Sequence, residues 1–193
     1  MIDYITGKVT ELNPAFVVIE CNGIGYSINI SLNTYAALDK SDTCKILVHE
    51  SIREDAHLLF GFVSEDERDL FRQLISVSGV GAGTARMMLS SVRPADLREA
   101  IISGDVGTLK GVKGIGLKTA QRIIIDLKDK IGKHVGSGEI IAFSDNTARE
   151  ESLSALVMLG FARSSAAKVI DNLLRENKKL QVEEIVRRAL KLL

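Results

Sequence analysis

The chain has 193 residues, 46% of them hydrophobic, with 25 Lys and Arg against 25 Asp and Glu. That length suits one or two ordinary domains or three small ones, and the apolar content allows genuine cores. No apolar run is long enough to span a bilayer, which excludes a membrane-spanning class, while a formal net charge of zero neither favours nor excludes a polyanionic partner.

The N-terminus carries Asp3 where a secretory signal would need a basic stretch and an apolar segment, so a cytoplasmic protein is expected. The first 63 residues read as short strands. Ile5 to Leu12 is followed by a turn at Asn13-Pro14, and Ala15–Cys21 runs into Asn22-Gly23, a hairpin signal. Tyr26, Ile28 and Ile30 alternate with Ser27 and Asn29 as a half-buried strand should. Leu32–Leu38 suits a short helix, and Lys45–His49 and Leu58–Phe62 complete five strands, with Leu58, Phe60 and Phe62 on one face. Five strands and one small helix in this length suggest a Greek-key barrel of oligonucleotide-binding (OB) type, the alternative being an antiparallel barrel used only for oligomerisation.

Between the last two strands, Glu54 and Asp55 would protrude from a hairpin tip. On sequence alone they read as a solvated charged turn or as a carboxylate pair. Cys21 and Cys44 stand singly in strand-like segments without metal-ligand spacing, so reduced thiols and no metal site are expected.

Ser64, with Glu67 three residues on, suits a helix cap, and residues 64–131 read as helical. They contain a duplicated turn. Gly79-Val80-Gly81-Ala82-Gly83-Thr84-Ala85 aligns with Gly114-Ile115-Gly116-Leu117-Lys118-Thr119-Ala120, sharing glycine, aliphatic, glycine, then Thr-Ala two residues on. Glycine lets a backbone turn sharply and approach a partner closely, and the first amides of a new helix point outward without intrahelical partners. Such a turn can hold a phosphate. Acidic residues withdraw around both copies: none lies between Asp105 and Asp126, where Lys113, Lys118 and Arg122 gather, and between Asp69 and Asp96 the only charges are Arg72, Arg86 and Arg93. Two helix-hairpin-helix units gripping a nucleic-acid backbone are the economical interpretation. A tight helix–helix connection remains the bland one. A dinucleotide-binding loop would need a strand before the glycines, whereas Leu70, Phe71, Leu74 and Ile75 mark a helix there.

Residues 132–147, rich in Gly, Ser and Asn, lack helical periodicity and read as a flexible linker. Residues 148–193 show three helical patterns. Leu153, Leu156, Val157 and Leu159 form the first, ended by Gly160-Phe161; Ser164 or Ser165 could cap the second; Val182, Ile185, Val186, Ala189, Leu190 and Leu193 mark the third. The Leu-Gly-Phe turn resembles that of ubiquitin-associated-type (UBA-like) bundles. Such a bundle more often docks on a protein than catalyses, and Leu156, Leu159 and Phe161 are candidate docking residues.

Taken together, the chain is expected to be α+β and multidomain. Over its full length it resembles the RuvA family. The resemblance is carried by Arg53-Glu54-Asp55-Ala56-His57-Leu58-Leu59-Phe60-Gly61-Phe62, by the Gly79 and Gly114 turns, and by Leu156-Val157-Met158-Leu159-Gly160-Phe161. It implies a homotetramer, single or as two facing tetramers, that holds a four-way Holliday junction open and nearly square. Phosphate contacts would fall on Gly79, Gly81, Thr84, Gly114, Gly116, Lys118 and Thr119, with Arg86, Lys113 and Arg122 as electrostatic additions. Glu54 and Asp55 would be an acidic pin repelling phosphates at the crossover. The third module would dock on RuvB, a hexameric ATPase, and the RuvC resolvase could share the junction. No cofactor is implied, and without a phosphate-binding Gly-x-x-x-x-Gly-Lys-Ser/Thr loop ATP hydrolysis is assigned to the partner. Ala82 and Gly83 stand where many relatives have proline and a basic residue, and Lys113 where proline is frequent, so the two turns should contribute unequally. An enzyme built on the same hairpins, a base-excision glycosylase using Asp126 or Asp129, is the rival, weakened by the scarcity of aromatics for a base pocket.

Overall fold

The computed structural model describes residues 1–39, 43–135, 144–177 and 180–193. It contains two units, Met1–Gly138 and Glu139–Leu193. The first begins with β1 (Tyr4–Leu12), β2 (Phe16–Cys21), β3 (Ile24–Ile30), α1 (Leu32–Ala37), β4 (Thr43–Ile52) and β5 (His57–Phe62). These strands close a barrel in the order β1-β2-β3-β5-β4, antiparallel except where β3 runs beside β5 with Ile28 opposite Leu59. That order, with one parallel contact, is the OB-type Greek key. The predicted β2–β3 turn is present, with Asn22 at φ 51° and Gly23 at φ 81°, the left-handed pair that such a two-residue turn requires.

Alternation fills the barrel from every strand: Ile5, Val9, Val17, Ile19, Ile28, Ile30, Ile46 and Val48 are buried together. Gly61 makes room for this core, since a Cβ there would lie 2.5 Å from Ile46 Cδ1 and 2.7 Å from Ile28 Cγ2. Its neighbours Phe60 and Phe62 therefore point out of the barrel. Their rings meet Phe71 at centroid separations of 5.2 and 4.9 Å. The face shared by Leu58, Phe60 and Phe62 is thus the outer one, and only its two phenylalanines are covered, Leu58 being exposed.

Phe71 lies on α2 (Glu65–Ile75), which leads into α3 (Ala82–Ser91), α4 (Pro94–Ser103), α5 (Val106–Lys110) and α6 (Leu117–Val135). These helices share one core with Phe60 and Phe62. Barrel and helices are also strapped together by polar contacts. Arg68 Nη1 donates to Asp3 Oδ1 at 2.7 Å, and the Leu32 amide donates to Ser90 Oγ at 3.1 Å.

Ser64 caps α2 as expected, its Oγ accepting from the Glu67 amide at 3.2 Å. The Glu67 side chain, however, does not return to the cap. It is buried, accepting from Ser31 Oγ at 2.5 Å and Thr34 Oγ1 at 2.8 Å, so it ties α2 to α1 of the barrel. Burial pushes its pKa up, against the opposing pull of those two hydroxyls. Between the ordinary carboxylate range and the raised value the native state holds a proton that the unfolded chain has released, so stability should fall as pH rises through that window. Urea unfolding across the window should show this slope in the native chain and a flatter one in Glu67→Gln. Parallel slopes in the two proteins would contradict it.

The second unit comprises α7 (Ser144–Met158), α8 (Arg163–Glu176) and α9 (Val182–Ala189) around Leu153, Leu156, Ala166, Ile170, Leu173, Ile185 and Ala189. The serines at 164 and 165 lie inside α8 rather than capping it. The left-handed Gly160 (φ 98°) and the bond from the Phe161 amide to the Leu156 carbonyl close α7 tightly, so that α8 starts at Arg163, with Ala162 at the cap. The expected linker is also shorter than its composition suggested: α6 continues to Val135 and α7 starts at Ser144. One glycine, Gly132, costs a helix only about 1 kcal/mol, less than the burial of the preceding Leu127–Ile131 stripe supplies. The remainder of the expected linker, 136–143, lies outside the described residues. Cys21 and Cys44 are both unpaired and half-buried.

Candidate nucleic-acid interface

The two glycine turns have the same construction. Gly79 and Gly114 both adopt φ 93°, a region costing a residue with a side chain roughly 1–2 kcal/mol. Val80 donates to the Val77 carbonyl at 3.0 Å, as Ile115 does to Val112 at 3.1 Å, and each aliphatic side chain is buried. One residue on, Gly81 and Gly116 open α3 and α6, accepting from Ala85 and Ala120 at 2.9 Å in both copies. The sequence repeat is a structural repeat. Alanine at Gly79 or Gly114 should accordingly lower the unfolding free energy by about 1–2 kcal/mol, read by urea titration. Native-like stability in both variants would refute the strain argument.

The glycines differ in the reason for their presence. Gly79 and Gly114 are needed for the backbone turn. Gly81, Gly83 and Gly116 lie outside the left-handed region, and a Cβ at Gly83 or Gly116 would meet nothing within 4 Å. Neither backbone geometry nor internal packing requires glycine there. What the lack of a side chain at Gly81 and Gly116 does is leave the helix start open to an external group.

The start of α3 is also unsatisfied from within. Helices α1, α2 and α5 have side-chain caps, from Ser31, Ser64 and Asp105, whereas α3, like α4, α8 and α9, has none. Its first amides and dipole face outward, as a site for an anion would require. At the second turn Lys113, Lys118 and Arg122 are exposed around the same opening, Thr119 is half-buried, and the Arg122 guanidinium lies 3.8 Å from Asp126, a loose pair that leaves it available. At the first turn Thr84 is half-buried in the matching place. Arg86 is committed elsewhere: its Nη1 donates to the Ala15 carbonyl at 2.9 Å and to Asn29 Oδ1 at 3.0 Å. It holds α3 to the barrel rather than projecting beside the turn.

Glu54 and Asp55 sit at the end of the β4–β5 hairpin, beyond the last pair, Ile52 opposite His57. The Arg53 amide donates to the Ala56 carbonyl at 2.8 Å, closing a short loop with both carboxylates exposed. The hairpin base is anchored through Glu50, which accepts from the Ile2 amide at 2.8 Å and pairs with His57 at 3.3 Å; that amide, then the His57 hydrogen bond and the nearby N-terminal charge, lower its pKa. The tip therefore projects from a braced ribbon.

In the second unit the three expected docking residues separate. Leu156 is fully buried on the inner stripe of α7, and Phe161 packs half-buried against the same core. Helical spacing alone placed Leu156 with its neighbours, but its partner Leu153 points to the same core. Leu159 is 59% exposed, and the apolar side chain beside it, Met158, is 85% exposed. Met158 lies outside the apolar stripe of Leu153, Leu156, Val157 and Leu159, and nothing in the sequence marks it as a docking residue.

Among the described residues no group of three or more His, Cys, Asp or Glu could hold a metal, and no helix is long and apolar enough to cross a membrane.

Comparison with known proteins matches every part of this architecture. Residues 1–61 match the family model described as the RuvA N terminal domain, 71–129 a SAM-like helix-hairpin-helix tandem, and 147–193 the RuvA C-terminal domain. The Holliday junction branch migration complex subunit RuvA of Christiangramia forsetii is 52% identical over 191 residues, covering 99% of each chain. The proteins of the same name from Bacteroides fragilis and Porphyromonas gingivalis are each 48% identical, covering 99% and 100% of both chains respectively.

Proposed function

The chain belongs to the RuvA family, and on that premise we propose that it binds Holliday junctions by their shape and recruits the RuvB ATPase for branch migration in recombination and repair. The observation that carries the DNA part is the pair of matching turns, each opening a helix on a glycine that the fold itself does not need. Phosphate oxygens would be held by the amides after Gly81 and Gly116. Gly79 and Gly114 shape those turns, Thr84 and Thr119 offer hydroxyls, and Lys113, Lys118 and Arg122 neutralise charge.

Assembly as a homotetramer, single or as two facing tetramers, follows from the family resemblance. It would bring four β4–β5 tips together at the crossover. There Glu54 and Asp55 act by charge alone, repelling phosphates so that strands separate and continuous duplex is disfavoured. The chain itself is the DNA-binding subunit rather than an ATPase, in a cytoplasmic setting, and RuvC would share the junction. RuvB would dock on the second unit, where Met158 and Leu159 offer apolar side chains that no core covers.

Because phosphate contacts release counterions and carry no base information, junction affinity should fall log-linearly with salt and be the same for two junctions of unrelated sequence. Fluorescence-anisotropy titrations with both junctions at several salt concentrations test this. A tenfold or larger sequence preference, or affinity insensitive to salt, would overturn backbone recognition.

A further inference from the structure

The two turns are alike in backbone but not in charge. With the 35-residue offset of the repeat, Lys113, Lys118 and Arg122 of the second turn correspond to Ser78, Gly83 and Met87 of the first. Every basic side chain around the second opening is neutral in the first, and the nearby Arg86 is committed to the barrel. An amide-only cradle binds phosphate less strongly than one with a cation, since a cation adds the attraction of a full opposite charge and the release of a counterion to what the amides supply.

A cation does reach the first turn, but from another element. Arg53 comes from the β4–β5 hairpin, and its Nη2 would lie 4.0 Å from a Cβ placed on Gly81. The guanidinium is thus beside the residue that opens α3, on the side where α3 has no side-chain cap. Among the described residues Arg53 forms none of the ion pairs seen, although Glu54 and Asp55 follow it directly in the chain. Its backbone is fixed by the Ala56 carbonyl, so the side chain starts from a defined point.

We propose that Arg53 supplies to the first turn the phosphate-binding cation that Lys118 supplies to the second. This inference rests on the reading of the turns as DNA-backbone grips. It adds that the grip and the acidic tip are one element: the chain places the attracting charge at Arg53 and the repelling charges at Glu54 and Asp55, immediately after it. A phosphate at the first turn is then held beside the point where strands are pushed apart, which makes the first hairpin the one nearer the crossover.

The test is relocation of the charge. In the full-length protein, Arg53→Gln should weaken junction binding about tenfold at moderate salt and lower the salt slope by about one for each phosphate no longer neutralised, with an unchanged melting temperature. Adding Gly83→Lys, at the position matching Lys118 and in open space, should restore affinity and slope. Native-like binding by Arg53→Gln overturns the proposal, as does failure of Gly83→Lys to restore it. A fall in melting temperature that parallels the weaker binding would make Arg53 a strut and also overturn it. If the native chain itself binds no junction, the parent reading fails instead, so the two failures are distinguishable.

Discussion

Replacing Gly81 and Gly116 together by aspartate is expected to leave the protein folded and to reduce DNA binding by at least about a hundredfold. Both residues lie outside the left-handed region and open a helix, where aspartate is a favoured cap and interacts well with the dipole. The substitution should therefore hold or slightly raise the melting temperature, by the equivalent of about 0.5 kcal/mol per site. The same carboxylates would occupy the amides proposed to hold phosphate and add negative charge there. Hydrogen bonds to a charged group contribute about 1.5–3 kcal/mol each, so losing one at both turns accounts for a hundredfold or more. If the turns were only helix connections, the variant would bind DNA as the native protein does. Calorimetry together with anisotropy separates the two, and a double variant that is stable and still binds would refute the phosphate assignment.

The second large effect concerns selectivity. Changing Glu54→Gln and Asp55→Asn preserves size and exposure while removing two negative charges from each hairpin tip. Two unit charges about 5 Å apart in water repel by roughly 0.8 kcal/mol, and a tetramer would gather eight such carboxylates at one crossover. A continuous duplex carries its phosphates through that point, whereas an open junction leaves it vacant. Duplex affinity should rise about tenfold or more in the variant, with junction affinity changed far less, and the difference should shrink as salt is added. Equal gains for both DNAs would mean that the tip merely lowers a general attraction.

Much of this arrangement is legible in the residues, because its signals are local. The Asn22-Gly23 hairpin, the alternation of Tyr26, Ile28 and Ile30, the cap at Ser64 and the repeated glycine turns each depend on neighbours within a few positions, and each occurs where local chemistry places it. What periodicity does not reveal depends on long-range partners. Arg86 reads as a basic residue beside a phosphate turn until Ala15 and Asn29, more than 50 residues earlier, claim its guanidinium. Glu67 reads as half of a capping box until Ser31 and Thr34 bury it. Leu156 and Leu159 fall in one apolar pattern, and only the packing of the bundle buries one and exposes the other. Arg53, in plain view within the hairpin motif, acquires significance only through its closeness to Gly81. The helix through Gly132 is the converse case, where local composition suggested a break and a helix already anchored through Ile131 continues.

Selection of DNA by branched shape, proposed to act through the two glycine turns, is most directly measured by competition. A labelled four-way junction bound to the native chain is challenged with unlabelled linear duplex of the same arm sequences. Duplex in about hundredfold excess should leave most of the junction bound, while unlabelled junction displaces it at near-stoichiometric concentrations. Displacement by duplex as readily as by junction would contradict shape selection and leave a protein that grips any DNA backbone.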